Sequence, residues 1–230
     1  MINKYHWDNL ERWSASYKYA DPFPSIVLDD FLDSEQLSEA VSSLEQNFDS
    51  LSWEQEPRPF QINKLWIPDP NKLPTAARKV LYWLNCGAMV NFLQKLTGVQ
   101  DLITDNENEG GGVHCHLNGG LLGIHRDFNY HPKLKLHRRV NVLLFLNKDW
   151  IDSWGGQLEL WSRDRQQCVK RIVPAFNRMV CFSITDDAYH GAPIPVACPS
   201  DRKRFSLATY YYTTDRPAEE LNPPHMSEFF

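Results

Sequence analysis

Cysteine is scarce in this sequence and none of it is paired by spacing. The 230 residues hold five, Cys86, Cys115, Cys168, Cys181 and Cys198, without a CxxC. An odd, scattered set excludes a disulfide framework and fits reduced thiols in the cytoplasm. Long apolar runs are missing as well. No stretch is long enough to span a bilayer, and the opening MINKYHWDNLERW lacks the apolar segment of a secretory leader. No membrane attachment is therefore expected. Basic charge is in deficit, with 24 Lys and Arg against 29 Asp and Glu and a net charge of -5. That balance argues against a nucleic-acid partner, because phosphate attraction needs a basic surface. Internal repeats and low-complexity tracts are also absent. What the chain does have is 42% apolar and 13% aromatic residues, enough for a large packed core.

The pattern changes near residue 100. Upstream, PSIVLDDFL reads as a short strand, and Asp33 or Ser34 caps a helix through SEQLSEAVSSLEQNF, with Glu35 in its first turn. Ile62 to Ile67 reads as a strand ended by Pro68-Asp69-Pro70. Apolar residues at three- and four-residue steps predict one helix from Thr75 to Leu96, stopped by Gly98. Downstream come short β segments: GVHCHLN, LLGIH, RVNVLLFLN, QLELW, QCVKRIV, RMVCFSI and RFSLATYYYT, broken by Gly, Pro, Asn and Asp. So many short strands point to a sandwich or double-sheet jelly roll braced by the earlier helices. The tail from Arg216, with Pro217, Pro223 and Pro224, reads as loose or as a lid.

LLGIHRDFN carries the chemistry. His125 and Asp127 stand two apart, so on a strand both leave the same face. One further ligand would complete a two-His, one-carboxylate set with open positions, as iron(II) oxygenases require. His190, after RMVCFSI and before a Gly- and Pro-rich turn, sits where a strand end projects a side chain. Arg204 and Ser206 again share a face, and together fit a single carboxylate. Each feature alone has a plainer reading: a surface histidine beside an aspartate, a buried histidine, an edge-strand charge.

The order HxD, distal His, then RxS in a closing strand resembles the 2-oxoglutarate- and iron(II)-dependent oxygenase superfamily, and within it the prolyl-4-hydroxylase-like branch. RRVNVLLFLNKDWIDSWGGQLELW is similar to that branch's strand, Leu-Asn, Asp-Trp, Gly-Gly and Leu-x-Leu order. The resemblance covers about residues 110 to 214, with a weaker echo at PFPSIVLDDFL. It implies an α+β fold, a double-stranded β-helix buttressed by N-terminal helices. It implies Fe(II) held by His125, Asp127 and His190, and 2-oxoglutarate paired through its distal carboxylate with Arg204 and Ser206. O₂ is the second co-substrate, and the products are succinate, CO₂ and a hydroxylated aliphatic carbon.

Two positions depart from the family. Phe145 stands where a tyrosine often bonds the distal carboxylate, and His116 replaces a second tyrosine nine residues before His125. Asn141, on the same strand as Phe145, is expected to supply a polar contact in compensation. Halogenating relatives replace the carboxylate with a small residue; Asp127 is retained, which favours hydroxylation. His114 and His116 also form an HxH pair, the start of a rival cupin-like hydrolase or isomerase site with Glu159; otherwise both are cavity-wall residues. His131 reads as a rim residue. The basic run Lys133 to Arg139 is a solvated face or an attractor of acidic substrate, with Arg138 the substrate-side candidate beside His114 and Trp150. Trp150, Trp154 and Trp161 line the mouth or pack the core. The expectation is one oxygenase domain over 1–230: helical support over 1–100, a jelly-roll core over 101–214, and a tail over 215–230. Its substrate is a prolyl-like or other peptidyl residue, a free amino acid or a small metabolite. A non-catalytic jelly-roll binding module is the remaining alternative.

Overall fold

The computed structural model describes residues 1–56 and 58–230. Five α-helices are described: α1 Lys4–Asp8, α2 Leu10–Lys18, α3 Ser34–Gln46, α4 Thr75–Leu84 and α5 Gly87–Thr97. The strands are β1 Ser25–Leu28, β2 Gln61–Ile67, β3 Ile103–Thr104, β4 Gly112–Arg126, β5 Tyr130–His131 and β6 Leu136–Phe145. They continue with β7 Leu158–Trp161, β8 Cys168–Ile172, β9 Arg178–Ser183, β10 His190–Ala192, β11 Arg204–Thr213 and β12 Glu228–Phe229. Asp33 caps α3 as expected, its carboxylate accepting from the Glu35 and Gln36 amides. The single helix expected over Thr75 to Leu96 is instead two, because the chain breaks at Asn85 and Cys86. The N-terminal pair α1 and α2 was not foreseen, although Leu10, Trp13 and Tyr17 stand at i, i+3 and i+7 and pack that face on the core.

The strands hydrogen-bond in the order β1-β9-β6-β11-β4-β10-β7-β8, and the antiparallel sheet curls into a double-stranded β-helix. Strand β4 makes the curl possible by serving both layers. Its first half pairs with β11, from Gly112 opposite Ala208 to His116 opposite Arg204, and its second half pairs with β10. Between the halves lie Gly119, at φ 75°, and Gly120, where an added Cβ would meet the Leu117 carbonyl at 2.6 Å. Only glycine lets the chain turn there without breaking the strand. GVHCHLN and LLGIH are therefore one element, not the two expected.

Period-two alternation then sorts the side chains. Val140, Val142 and Leu144 of β6, Phe205 and Leu207 of β11, and Val113 and Cys115 of β4 face α3, α4 and α5 in the main core. The intervening residues face into the β-helix, where Phe145, Val180 and Phe182 pack with Leu158 and Leu160. Asn177 ties the helical layer to the sheet. Its side chain accepts from the Leu32 amide (2.9 Å) and donates to the Leu32 carbonyl (2.8 Å), both buried. Asn177→Ala removes both partners, so it should cost about 2–4 kcal/mol, read from the urea midpoint.

Candidate active site

The curl brings the end of β4 against the start of β10, so that His125 and His190 face one another across the pair. Asp127 follows one residue beyond β4. His125, Asp127 and His190 each offer a ligand atom within 4.8 Å of the others. His125 Nδ1 donates to the Gly123 carbonyl and His190 Nδ1 to the Ala188 carbonyl, each at 2.9 Å. Those bonds fix both tautomers and leave the Nε2 lone pairs free. The lone pairs meet a carboxylate: Nε2 of His125 lies 3.6 Å from Asp127 Oδ1, and Nε2 of His190 lies 3.4 Å from Oδ2. Two neutral nitrogens converging on an anion is a donor set built around a cation. Burial pushes His125 below its usual value, and neighbouring His190 adds to that, so the ring is held neutral as a ligand must be.

Asp127 is oriented from behind. Asn141 Nδ2 donates to its Oδ2 at 2.7 Å, and Asn141 Oδ1 accepts from Arg138 Nε at 2.9 Å. Arg138 Nη2 lies 3.1 Å from the same Oδ2. Burial alone would raise the Asp127 carboxyl, but Arg138, His190 and His125 hold it well below the usual carboxylate range. Arg138 and Asn141 are three apart, a spacing that puts strand residues on opposite faces. A bulge resolves this: Tyr212 pairs with Arg138 and Tyr211 with Val140, so Arg139 is the extra residue and Arg138 is turned inward. The guanidinium is buried between Tyr210, 3.6 Å from its ring centre, and Phe128. Arg138 and Asn141 thus both meet Asp127, and both also line the cavity.

The triad opens into a cavity of about 560 Å³ that also holds Arg204, His114, His116 and Lys64. Arg204 Nε donates to the Gly156 carbonyl at 2.6 Å. This close passage needs Gly156, where a Cβ would press on the Arg204 side chain at 2.9 Å. Nη1 donates to His116 Nδ1 at 3.3 Å, and the group lies over Phe145. No carboxylate among the described residues pairs with Arg204, and burial lowers it to about 10. His116 is pushed well down by burial and then by Arg204 and Lys64, so it is neutral. Accepting at Nδ1, it carries its hydrogen on Nε2, a buried donor with no partner. A buried guanidinium beside an orphaned N–H fits an incoming carboxylate.

Several sequence expectations are corrected. Ser206 is buried one row further along β11, opposite His114. His114 does line it, donating to the Gly110 carbonyl. Trp150 is packed away with Val196 and Cys198, its indole bonded to the Gly155 carbonyl. His131 is no rim residue: it is fully buried, 3.5 Å from Asp105. Glu159 bonds Arg171 and Trp161, and does not join His114 and His116. Within the basic run, Lys133 pairs with Glu107 and Glu109, Arg138 with Asp127 and Arg139 with Glu220. Lys64 was missed. Its strand was foreseen, but only the pairing of β2 with β4 shows that its amine turns inward.

The tail is tied down over the metal end. Phe229 pairs with His125, its ring 4.9 Å from the imidazole, and Arg126 grips Glu228. Ser227 accepts from the Phe128 amide, and Asn129 bonds both Pro223 and His225. Phe229→Ala opens one wall of the site. It should speed loss of bound metal to a chelator several-fold, read by stopped flow, with little change in melting temperature.

A double-stranded β-helix with two histidines and an aspartate on one face of a cavity, and a buried arginine on its wall, has the build of a mononuclear non-haem metal oxygenase. Residues 111–212 match the sequence model of the 2OG-Fe(II) oxygenase superfamily. In that region the chain is similar to the superfamily, and the His125, Asp127 and His190 cluster is a candidate metal site of the kind its description implies. The chain is 27% identical over 93 residues to mouse prolyl 3-hydroxylase OGFOD1, covering 38% of this chain and 17% of that protein. It is 27% identical over 127 residues to prolyl 3,4-dihydroxylase OGFOD1 of Ostreococcus tauri, covering 52% and 24%. The chain thus spans about a quarter or less of these relatives. A Pseudomonas putida prolyl-4-hydroxylase superposes with a TM-score of 0.62 at 16% identity, over 87% of this chain and 98% of that one. Among the described residues no helix is long and apolar enough to cross a membrane.

Proposed function

We propose that the chain, as one domain over 1–230, is a 2-oxoglutarate- and iron(II)-dependent oxygenase that hydroxylates an aliphatic carbon. The observation that carries this is one cavity holding both a tautomer-fixed His-Asp-His triad and the unpaired, buried Arg204 beside the orphaned His116 N–H. His125, Asp127 and His190 hold the metal through Nε2, a carboxylate oxygen and Nε2. Arg204 takes the distal carboxylate of 2-oxoglutarate in charge-assisted hydrogen bonds, and His116 Nε2–H adds a neutral one. Arg138 and Asn141 hold Asp127 in its ionised, ligating orientation. Phe182, Leu158 and Phe229 give the site apolar walls that keep bulk water from the reacting centre. When bound, the iron supplies O₂ activation coupled to decarboxylation. The balance is R–H, O₂ and 2-oxoglutarate going to R–OH, succinate and CO₂.

The substrate class follows the relatives: a prolyl-like peptidyl residue, with a free amino acid or small metabolite as the alternative. Five free thiols fit a reducing compartment, which supports a cytoplasmic setting. Anaerobic protein with Fe(II) and 2-oxoglutarate should develop a weak visible charge-transfer band that O₂ discharges, with succinate formed. Absence of both the band and succinate would overturn the reading.

A further inference from the structure

Lys64 has no part in the superfamily-based reading, yet it occupies the same cavity. Strands β11, β4 and β2 set Arg204, His116 and Lys64 in one row, each opposite the next. Residues level across a sheet share a face, so the row is a line of donors along the cavity wall. The Lys64 amine has no carboxylate partner among the described residues; its one polar contact is Gln61 Oε1 at 3.5 Å. The charges that act on it are Asp127 at the metal end, and Arg204 and Arg58. It therefore shares one cavity wall with Arg204, with His116 between them in the row, and the same cavity holds Asp127. Among the charged side chains that line the cavity, Arg138 pairs with Asp127, Lys133 with Glu107 and Glu109, and Arg58 with Glu56, whereas Arg204 and Lys64 have no carboxylate within ion-pair distance among the described residues. Two such cations match one dianion.

We infer that Lys64 is a second cation for the co-substrate, holding a carboxylate of 2-oxoglutarate alongside Arg204. It takes over the grip that the tyrosines replaced by Phe145 and His116 would give. The inference rests on the function proposed above. Burial lowers the lysine to about 8 despite the opposing pull of Asp127. An arriving carboxylate restores its charge, so binding is coupled to protonation. The titratable groups facing it are His114 and His116 from β4, Arg204 from β11, and Asp127 and Arg58. Both histidines are held neutral well below this range, so Lys64 dominates the alkaline side.

The test is anaerobic titration of the Fe(II) protein with 2-oxoglutarate, comparing wild type, Lys64→Met and Lys64→Arg. Lys64→Met should weaken binding roughly 10- to 100-fold with iron affinity unchanged, and Lys64→Arg should recover most of it. Wild-type affinity should fall as pH rises through about 8, and the Lys64→Met profile should be flat there. Lys64→Met affinity within about twofold of wild type would overturn the inference, including where only the KM of a second substrate rises. Failure of the wild type itself to bind 2-oxoglutarate would instead strike the function on which it rests.

Discussion

Arg204→Met is expected to weaken 2-oxoglutarate binding roughly a hundredfold or more while leaving iron affinity within about threefold. Two charge-assisted hydrogen bonds at about 1.5–3 kcal/mol each account for that loss. The same substitution should not lower the stability of the ligand-free protein. Arg204 is buried without a counter-ion, and burial lowers it to about 10. For a base, a depressed folded value means that its charge opposes folding at neutral pH, and the penalty eases only above that value. Here it is about 3 kcal/mol, given 1.36 kcal/mol per pKa unit. Methionine fills similar volume without that cost, although it strands the Gly156 carbonyl. The outcome should be a protein as stable as wild type or more so, and deaf to its co-substrate. Equal loss of iron and 2-oxoglutarate affinity, or a fall in melting temperature of several degrees, would refute the carboxylate-clamp reading.

Asp127→Asn should behave in the opposite way, losing both metal and stability. The amide keeps the shape but removes the anion that Arg138 and the metal share. Breaking a buried ion pair from one side costs about 3–5 kcal/mol, because the remaining charge is stranded. In a chain of this size that lowers Tm by about 6–20 °C. Activity should fall by about three orders of magnitude as iron is lost. The double variant Asp127→Asn/Arg138→Met should regain part of the stability but none of the activity. Residues in contact are non-additive in this sense, whereas independent sites add within about 0.5 kcal/mol. Strict additivity would show that Arg138 does not act through Asp127.

The metal triad was legible because its chemistry is written in local spacing. An i, i+2 pair on a strand and a histidine at a strand end keep their directions whatever the sheet around them does. Most helices and strands of the core were legible for the same reason; α1 and α2, the break at Asn85 and Cys86 and the continuity of β4 through Gly119 and Gly120 were not. What could not be read depended on which strands lie side by side. Arg138 read as a substrate-side residue, and its contact with Asp127 could not be foreseen because the bulge at Arg139, set by pairing with β11, is invisible in the sequence of β6. Lys64 lay in a strand already foreseen, but β2 and β4 are about fifty residues apart at their pairing. His131 and Trp150 were placed at the mouth by proximity in sequence, and burial put both elsewhere.

The strap over the metal end also bears on what can reach the site. Its last residues take up the backbone hydrogen bonds of β4 at Ile124 to Arg126, with the Phe230 amide bonded to the Ile124 carbonyl at 2.9 Å. A peptide adding to that stretch as a strand meets a competitor that is covalently tethered, at an effective concentration of order millimolar. Its apparent affinity is scaled down by the fraction of molecules with the strap detached. A small molecule that fits within the cavity does not pair with β4 as a strand, and so does not compete with the strap for those hydrogen bonds. The chain thus carries its own built-in toll on extended ligands, levied before any side chain of the substrate is read.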